Sequence, residues 1–229
     1  MPGDKRILAD YSNDKVKLVN LDTATVTADI KIPSSPWGIT SISEDEVAVT
    51  VPGKKKILFV KVTDLLRLDR ELPVERGCSA VLHIDGNLFV SYAYPCKIET
   101  MSLHGTKRKM FHFEFIKWPE YMDLSQDNNA IYISDFGEGV TRLSLDGTVE
   151  ATYKDEKLSG PSGIVGVGPQ GRLLMCGYHT CNIHLLEPDL TKGNTLLQED
   201  VRLKCLSFCH STCRLYVGLV TGDVKVFQL

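Results

Sequence analysis

One short apolar strand recurs six times along the chain, and this repeat constrains the fold more than any other feature of the sequence. The six copies begin at Ile7, Val47, Leu88, Ile131, Leu173 and Leu215. The steps between their first residues are 40, 41, 43, 42 and 42, a regularity that unrelated apolar runs do not keep. Self-similarity at such a period indicates a repeat architecture, in which each unit buries its apolar face only against its neighbours.

Each copy belongs to a unit of several short strands. A polar or glycine-rich loop leads to a second apolar strand, seen at 16–19, 57–60, 140–143 and 224–227. A turn such as Asp146-Gly147, which tolerates the positive φ of a tight hairpin, leads to a more polar strand. This third strand is seen at 26–32, 106–115 and 149–153. A strand of small residues then begins the next unit, at 37–40, 78–81 and 162–165.

Four short strands in about 40–45 residues is the period of a β-propeller blade. The two middle strands of a blade are covered by neighbouring blades and are apolar here, while the outer strand meets solvent and carries Arg67 or Lys107. The segment 64–70 has fair helix propensity, but Pro73 follows it and the repeat requires an outer strand there, so we predict a strand. The sequence therefore predicts an all-β, six-bladed β-propeller with four-stranded antiparallel blades.

The ends of the repeat make two blades incomplete. A single propeller domain spans 1–229, with blades at 6–33, 36–73, 77–115, 118–154, 161–199 and 202–229. The first blade is expected to lack its inner strand and the last blade its outer strand. The last strand, 224–229, would then form an exposed apolar edge, and such edges recruit other strands. We therefore expect strand donation from a preceding segment, or self-association.

Three stretches resemble the NHL repeat. Residues 9–16 match its signature of an aspartate, a loop, an asparagine, a basic residue and a β-branched residue. Residues 133–140, followed by 146–148, are similar, and 160–164 look like the Pro-x-Gly-Ile opening of the unit. The chain resembles the NHL-type propeller at the C-terminus of tripartite-motif (TRIM) ubiquitin ligases, most specifically in the first, fourth and fifth blades. In the other blades Thr50, Ser91 and Gly218 stand where the signature has aspartate.

The resemblance implies a recognition platform of the ubiquitin pathway. In this family the propeller holds a protein target or an RNA, and ligase activity resides in an N-terminal zinc RING. The chain has no cysteines paired two residues apart, as a RING would require. We therefore expect a non-catalytic protein-interaction domain with a protein target on its loop face, and not an enzyme. An RNA-binding NHL module is the alternative.

Charge gives little support to RNA binding. The chain carries 26 basic and 29 acidic residues, a net charge of −3, whereas nucleic-acid-binding domains are typically basic. Two basic clusters, 54–56 and 107–109, have the chemistry for phosphate contacts. The alternative is a solvated turn and a lysine-guarded outer strand, which discourages aggregation. RNA is therefore the second choice of partner.

Seven aromatic residues fall in or beside the loops expected on one face of the propeller. They are Tyr11, Trp37, Tyr94, Trp118, Tyr121, Phe136 and Tyr178. Aromatic residues on a rigid scaffold are the usual contact residues of binding surfaces, so these are the candidate binding residues. The alternative is that several of them pack between blades.

The sequence lacks the usual motifs of catalysis. It has no Gly-x-Ser-x-Gly elbow, no His-Glu-x-x-His and no phosphate-binding glycine loop before a helix. The third alternative is a lactonase-like hydrolase, since six-bladed lactonases hold a divalent cation with acidic and amide side chains. The candidates would be Asp10, Glu120, Asp123 and Asp135. Asp10 and Asp135 fit better as NHL aspartates that cap a loop through nearby backbone N–H groups.

The cysteines indicate a reducing compartment. There are seven, an odd number, scattered between Cys78 and Cys213. Cys205 and Cys209 would lie about 13 Å apart on one strand, too far to bind one ion, so we expect structural thiols, no metal and no cofactor. No secretory signal precedes the repeat, and the apolar run 57–60 is far shorter than the roughly 18 residues that span a membrane. We expect a cytoplasmic protein without membrane contact.

Overall fold

The computed structural model describes residues 5–229, which form strands β1 to β22 and two 3-10 turns, at Tyr11–Asn13 and Pro52–Lys54. The chain divides into two compact units, one ending at His112 and the other beginning at Phe113, and each is described by itself. No helix within residues 5–229 is long and apolar enough to cross a membrane.

The first unit contains three antiparallel sheets. The first sheet consists of β1 (Lys5–Asp10), β2 (Lys15–Asn20) and β3 (Thr25–Lys31). The second consists of β4 (Ile39–Ser43), β5 (Glu46–Val51), β6 (Lys56–Val62) and β7 (Leu66–Pro73). The third consists of β8 (Val81–Ile84), β9 (Asn87–Tyr92), β10 (Lys97–Ser102) and β11 (Lys107–His112). Within each sheet the strands pair in chain order, as consecutive hairpins do.

The second unit repeats this organisation. Its first sheet consists of β12 (Pro119–Leu124), β13 (Ala130–Asp135), β14 (Gly139–Ser144) and β15 (Val149–Tyr153). Its second consists of β16 (Pro161–Val167), β17 (Arg172–Gly177), β18 (Asn182–Leu186) and β19 (Gly193–Gln198). Its third consists of β20 (Leu203–Cys209), β21 (Arg214–Leu219) and β22 (Val224–Gln228).

These six sheets are the blades of a six-bladed β-propeller, as the repeat predicted. Within residues 5–229 the first blade lacks its inner strand and the last blade its outer strand, also as predicted. The segment 64–70 contains the start of β7, so its interpretation as a strand is confirmed. Two inner strands begin later than expected, β4 at Ile39 and β8 at Val81, whereas β16 begins one residue earlier, at Pro161. In β4 the reason is that Trp37 and Gly38 bond to Thr50 outside the regular ladder.

Neighbouring blades of a unit pack through their second and third strands. β5 and β13 are buried along their whole length. In the first unit, Val16 and Leu18 of β2 belong to the same buried cluster as Val47 and Val49 of β5. Burying one such aliphatic side chain contributes roughly 2 kcal/mol. The outer strand β11 is mostly exposed, and its charged side chains remain in solvent.

β-bulges recur at the same place in the three inner strands of the second unit. The ladder is interrupted between Pro119 and Tyr121 in β12, and between Leu203 and Cys205 in β20. In β16 it is interrupted between Pro161 and Ile164. The residues at the equivalent bulge positions are Glu120, Ser162 and Lys204, each 42 residues after the one before. A bulge re-aims a side chain, so these positions can carry groups that a regular inner strand would not.

Candidate functional site

Aspartates at the ends of two second strands fasten the loops beside them. Asp135 is 1% exposed, and its carboxylate accepts hydrogen bonds from the backbone N–H groups of Lys117 and Trp118, both at 2.8 Å. Asp10 accepts hydrogen bonds from Asn13 N at 3.3 Å and Asn13 Nδ2 at 2.9 Å. The loop-capping role predicted for these two aspartates is confirmed.

Backbone hydrogen bonds then tie the loops of the fourth and fifth blades in place. Phe136, after β13, donates its N–H to Trp118 O at 3.0 Å. Tyr178, after β17, donates to Gly160 O at 2.9 Å, and the next residue, His179, donates to Ser159 O at 3.0 Å. Each loop between a second and a third strand is therefore bound to the loop that enters the same blade.

The loops held in this way bring three rings together. The centroid of Phe136 lies 5.5 Å from that of Tyr178 and 5.1 Å from that of His179, and the latter two are 5.2 Å apart. Phe136 and Tyr178 are half-buried, and His179 is exposed. Gly160, at φ +65°, permits this approach, because a Cβ there would lie 2.8 Å from His179 Cδ2 and 3.2 Å from the Phe136 ring.

Two cations flank the ring of Tyr178. Arg202 Cζ lies 5.3 Å from the ring centroid and Lys204 Nζ lies 5.6 Å from it. A cation near an aromatic face is attracted by the ring quadrupole. We call Phe136, Tyr178, His179, Arg202 and Lys204 the rim cluster. It combines an aromatic surface with positive charge and is built entirely from the second unit.

The other two candidate residues of the second unit have different surroundings. Trp118 is 48% exposed in the loop before β12. Tyr121 lies within β12 and packs against the buried cluster that contains Tyr132 and Ile164, so it belongs to the core rather than to a loop. The loop position expected for Tyr121 is therefore corrected, because β12 begins two residues before it.

The candidate residues of the first unit are Tyr11 and Trp37, which contact each other, and Tyr94, which lies in another loop. Tyr11 is 51% exposed and meets Trp37 edge-on, with centroids 5.3 Å apart. Tyr94 is 63% exposed in the loop after β9, where Arg76 donates hydrogen bonds to its carbonyl and to that of Pro95. The structure thus brings together Tyr11 with Trp37 and Phe136 with Tyr178.

Glu120 differs from the other acidic candidates in its burial and in its hydrogen bonding. It is 6% exposed at the bulge of β12, and its Oε2 has no hydrogen-bond partner among the described residues. Burial raises the pKa of Glu120, and the positive charge of Lys204 opposes that shift. Asp123 accepts the N–H of Gly166 at 2.7 Å. Within residues 5–229 no group of three or more His, Cys, Asp or Glu side chains is arranged to hold a metal ion.

The basic clusters are partly neutralised within the first unit. Lys56 forms an ion pair with Glu71, and Lys107 pairs with Glu75 and Glu99. Lys54 lies in the 3-10 turn after β5, while 107–109 lie on the outer strand β11. A turn and a lysine-rich edge strand are the structural alternative that the sequence offered for these clusters.

Sequence reasoning missed three members of the rim cluster. His179, Arg202 and Lys204 carried no motif, although the spacing of Arg202 and Lys204 places two cations on one side of an extended segment. Their meeting with Tyr178 depends on the packing of β17 and its loop beside β20. A repeat alignment alone does not provide that contact.

The fold and the rim cluster define a class, a six-bladed β-propeller with an aromatic, cationic loop surface. No family model and no curated protein matches the chain. A solved structure of a protein of unknown function from Bacteroides caccae is 14% identical, with a TM-score of 0.72 over 93% of this chain and 81% of that one. Virginiamycin B lyase from Staphylococcus aureus is also 14% identical, with a TM-score of 0.72 over 100% of this chain and 82% of that one.

These similarities show the fold and correct one prediction. Streptogramin B lyase, another structure with this fold, is an enzyme, at 14% identity and a TM-score of 0.70. The prediction that the chain is not an enzyme is therefore wrong as an inference from its fold, because enzymes share this fold. The lack of a RING was an argument against ubiquitin ligation only, and not against other enzymatic activities. The NHL resemblance rests on the sequence motifs alone.

Proposed function

We propose that this propeller recognises a segment of a target protein with the rim cluster of its second unit. The observation that carries the proposal is the environment of Tyr178, a half-buried ring edged by Phe136 and His179 and flanked by Arg202 and Lys204. Tyrosine and arginine are enriched among the few residues that dominate binding energy. Loops tied by backbone hydrogen bonds lose little entropy on binding.

The chemistry of the cluster favours an acidic segment. An aliphatic or aromatic side chain of the target can pack on the rings, and a neighbouring carboxylate can pair with the two cations. The NHL-like motifs of the first, fourth and fifth blades support target recognition, which in that family serves the ubiquitin pathway. Seven free cysteines agree with a reducing, cytoplasmic setting.

Selection from a random peptide display library tests this function. We expect enriched peptides to carry Asp or Glu next to an aromatic or aliphatic residue. The double charge reversal Arg202→Glu/Lys204→Glu should weaken the best peptide by roughly 30-fold, the equivalent of about 2 kcal/mol, in fluorescence anisotropy.

The matched control is Lys54→Glu/Arg67→Glu, which reverses two exposed cations of the first unit and the same amount of charge. We expect it to change the dissociation constant by less than about twofold, since long-range charge effects are screened by salt. If both double variants lose the same affinity, the effect comes from net charge, and the rim cluster is refuted as the binding site.

A lyase is the second candidate function, and the environment of Glu120 favours it. A buried carboxyl group with a raised pKa and an unpartnered oxygen is suited to accept a proton from a substrate. Solved structures with this fold include virginiamycin B lyase. Incubation with virginiamycin B, followed by mass spectrometry, tests this candidate, and an unchanged substrate argues against that particular activity.

A further inference from the structure

We propose that His184 positions the rim cluster by holding the segment 155–160, so that protonation of its imidazole and binding of a target at the rim exclude one another. The part that concerns the target rests on the proposed function, whereas the holding of the segment does not. We call 155–160 the entry segment, because it connects β15 to β16 and enters the fifth blade. His184 lies on β18, the third strand of that blade, and is 0% exposed.

The entry segment supports the rim cluster at its last two residues. Gly160 O accepts the N–H of Tyr178 at 2.9 Å, and Ser159 O accepts the N–H of His179 at 3.0 Å. Gly160 also faces two of the rings, since a Cβ there would lie 2.8 Å from His179 Cδ2 and 3.2 Å from Phe136 Cε2. The rings would lose both hydrogen bonds and this contact if the segment moved away, so their arrangement depends on it.

A hydrogen-bond network holds the middle of the entry segment. His184 Nε2 lies 3.0 Å from Lys157 O, to which Asn182 Nδ2 also donates a hydrogen bond at 2.7 Å. Asn182 Oδ1 accepts the hydroxyl of Thr180 at 2.8 Å, and Thr180 Oγ1 in turn accepts the N–H of Ser159 at 3.3 Å. Because a carbonyl oxygen only accepts, the bond to Lys157 O requires the proton of the neutral imidazole to be on Nε2.

This network fits the neutral imidazole and not the imidazolium ion, which donates from both ring nitrogens. The hydroxyl of Thr195, on β19, lies 3.0 Å from Nε2, but Nδ1 is buried and has no hydrogen-bond partner among the described residues. Protonation would place a charge and an unpaired N–H group in a site that solvent does not reach, and burial accordingly lowers the pKa of His184. Release of the entry segment removes this cost, because water then reaches the ring.

The ionisable groups that surround His184 do not take over this role. In the entry segment, Asp155 accepts the N–H of Lys157 at 2.8 Å and the hydroxyl of Tyr153 at 3.0 Å, and these bonds lower its pKa, so it stays ionised. Asp155 favours the imidazolium ion and Lys157 opposes it. Burial raises the pKa of Tyr153, on β15, to about 12, so it stays neutral. On β17 the residue paired with His184 is Met175, and β19 has no ionisable residue.

The direction of the effect follows from the pKa of His184 in two states. In the released state the imidazole is hydrated and has the ordinary pKa of about 6.5, whereas burial lowers its pKa in the held state. The held state is therefore most favoured above pH 6.5 and loses this advantage as the pH falls below that value. Between pH 7.5 and 5.5 the ratio of released to held protein rises by up to about tenfold. Because coupling is reciprocal, a target that needs the held state lowers the proton affinity of His184.

Hydrogen–deuterium exchange of the entry segment, corrected for the intrinsic exchange rate at each pH, measures its release without any ligand. The imidazole of His179 also contacts Gly160, so all proteins carry His179→Asn. In that background we expect protection of the entry segment to fall at least about fivefold between pH 7.5 and 5.5. Adding His184→Gln, whose amide can donate the same hydrogen bond, should remove this change. Adding His210→Gln, which replaces an exposed imidazole of the same unit, should keep it.

A second exchange measurement adds a peptide of alternating aspartate and phenylalanine, whose dissociation constant is first measured by fluorescence anisotropy at pH 7.5. At ten times that constant, a ligand that binds only the held state should raise the protection of the entry segment by about tenfold. Unchanged protection in the presence of bound peptide overturns the positioning of the rim cluster by this segment.

The outcomes separate this inference from the proposed function. Protection that does not change with pH, or whose change survives His184→Gln, overturns the holding role of His184 whether or not the peptide binds. Folded protein that does not bind the peptide overturns the proposed function and the exclusion between target and proton, while exchange still decides the holding role. If His184→Gln does not fold, the ¹⁵N chemical shifts of the His184 ring in the His179→Asn protein report its tautomer. A proton on Nδ1 at pH 7.5 overturns the inference, and a proton on Nε2 supports it.

Discussion

Both units place cations beside buried aromatic rings, and the second unit also places two cations beside a ring of its loop surface. In the first unit the combination is internal: Arg70 Cζ lies 3.7 Å from the centroid of Phe59, and Lys97 Nζ lies 4.8 Å from that of Tyr92, with both rings buried. The second unit also has an internal pair, with Arg142 Cζ 5.7 Å from the centroid of the buried Tyr132 ring. In addition, its Arg202 and half-buried Lys204 flank the half-buried Tyr178 at the loop surface.

The inner strands show the same contrast. At the position that carries Glu120 and Lys204 in the second unit, the strand pairing places Trp37 and Ser79 in the first. Neither of these side chains is ionisable, so this position is uncharged in the first unit. The comparison teaches that internal cation–ring pairs belong to the packing of both units, whereas the pair of cations beside Tyr178 lies where a ligand could reach it.

The largest effect is expected at the buried ion pair of the first unit. Lys97 and Glu99 are 6% and 1% exposed, with Nζ and Oε1 2.7 Å apart. Lys97→Met leaves a buried carboxylate short of one partner, so we expect the free energy of unfolding to fall by about 3 kcal/mol. Urea denaturation in a Trp118→Phe background reports on the first unit, because Trp37 is then the remaining tryptophan.

The matched control for this prediction is Lys97→Met/Glu99→Met, which removes both charges and should recover most of the loss. Lys97→Met should bind the acidic peptide as well as the wild-type protein does at a temperature where it is folded. A large loss of affinity in the folded variant would break the comparison, because the ion pair would then serve binding.

A smaller effect is expected on peptide binding, where an aromatic residue of each unit can be replaced and the two losses of affinity compared. Tyr178→Ala should weaken peptide binding by roughly 30-fold, about 2 kcal/mol, whereas Trp37→Ala should change it by less than about threefold. Anisotropy titrations measure both, and circular dichroism verifies that each variant is folded. Equal losses would show that the aromatic pair of the first unit is also a contact surface.

The smallest effect concerns strand edges, where we propose that β22 adds a strand from a preceding segment or a second copy. β22 keeps the apolar pattern of a third strand but is largely exposed, whereas the equivalent β6 is largely buried. Val226→Lys should raise the dissociation constant of self-association by about fivefold, roughly 1 kcal/mol, in analytical ultracentrifugation.

A matched substitution exists on an ordinary outer strand of the first unit. Val26 of β3 is 50% exposed and Val226 is 53% exposed, so Val26→Lys introduces the same charge at a similar site. It should leave association unchanged. A monomeric wild-type protein at high concentration would count against the second copy as donor.

The repeat determined the fold and the strand complement of each blade, and the resemblance to the NHL signature identified the capping aspartates. Each of these follows from local pattern: apolar alternation sets a strand, and an aspartate at the end of a strand reaches N–H groups only a few residues away or in the adjoining loop. The incomplete first and last blades followed from counting the same pattern. The first and last residues of each strand were harder to predict from the pattern. In β4, for example, the residues before Ile39 bond to Thr50 outside the regular ladder.

The tertiary structure decided which side chains meet. Tyr121 has the sequence context of a loop residue, yet it lies within β12 and packs against the core. His179 and Lys204 have no motif, yet the packing of successive blades places them around Tyr178. The unpartnered, buried oxygen of Glu120 could not be predicted from the sequence either. A periodic sequence specifies what each blade is, whereas contacts between blades depend on bulges and side-chain directions, which the period does not encode.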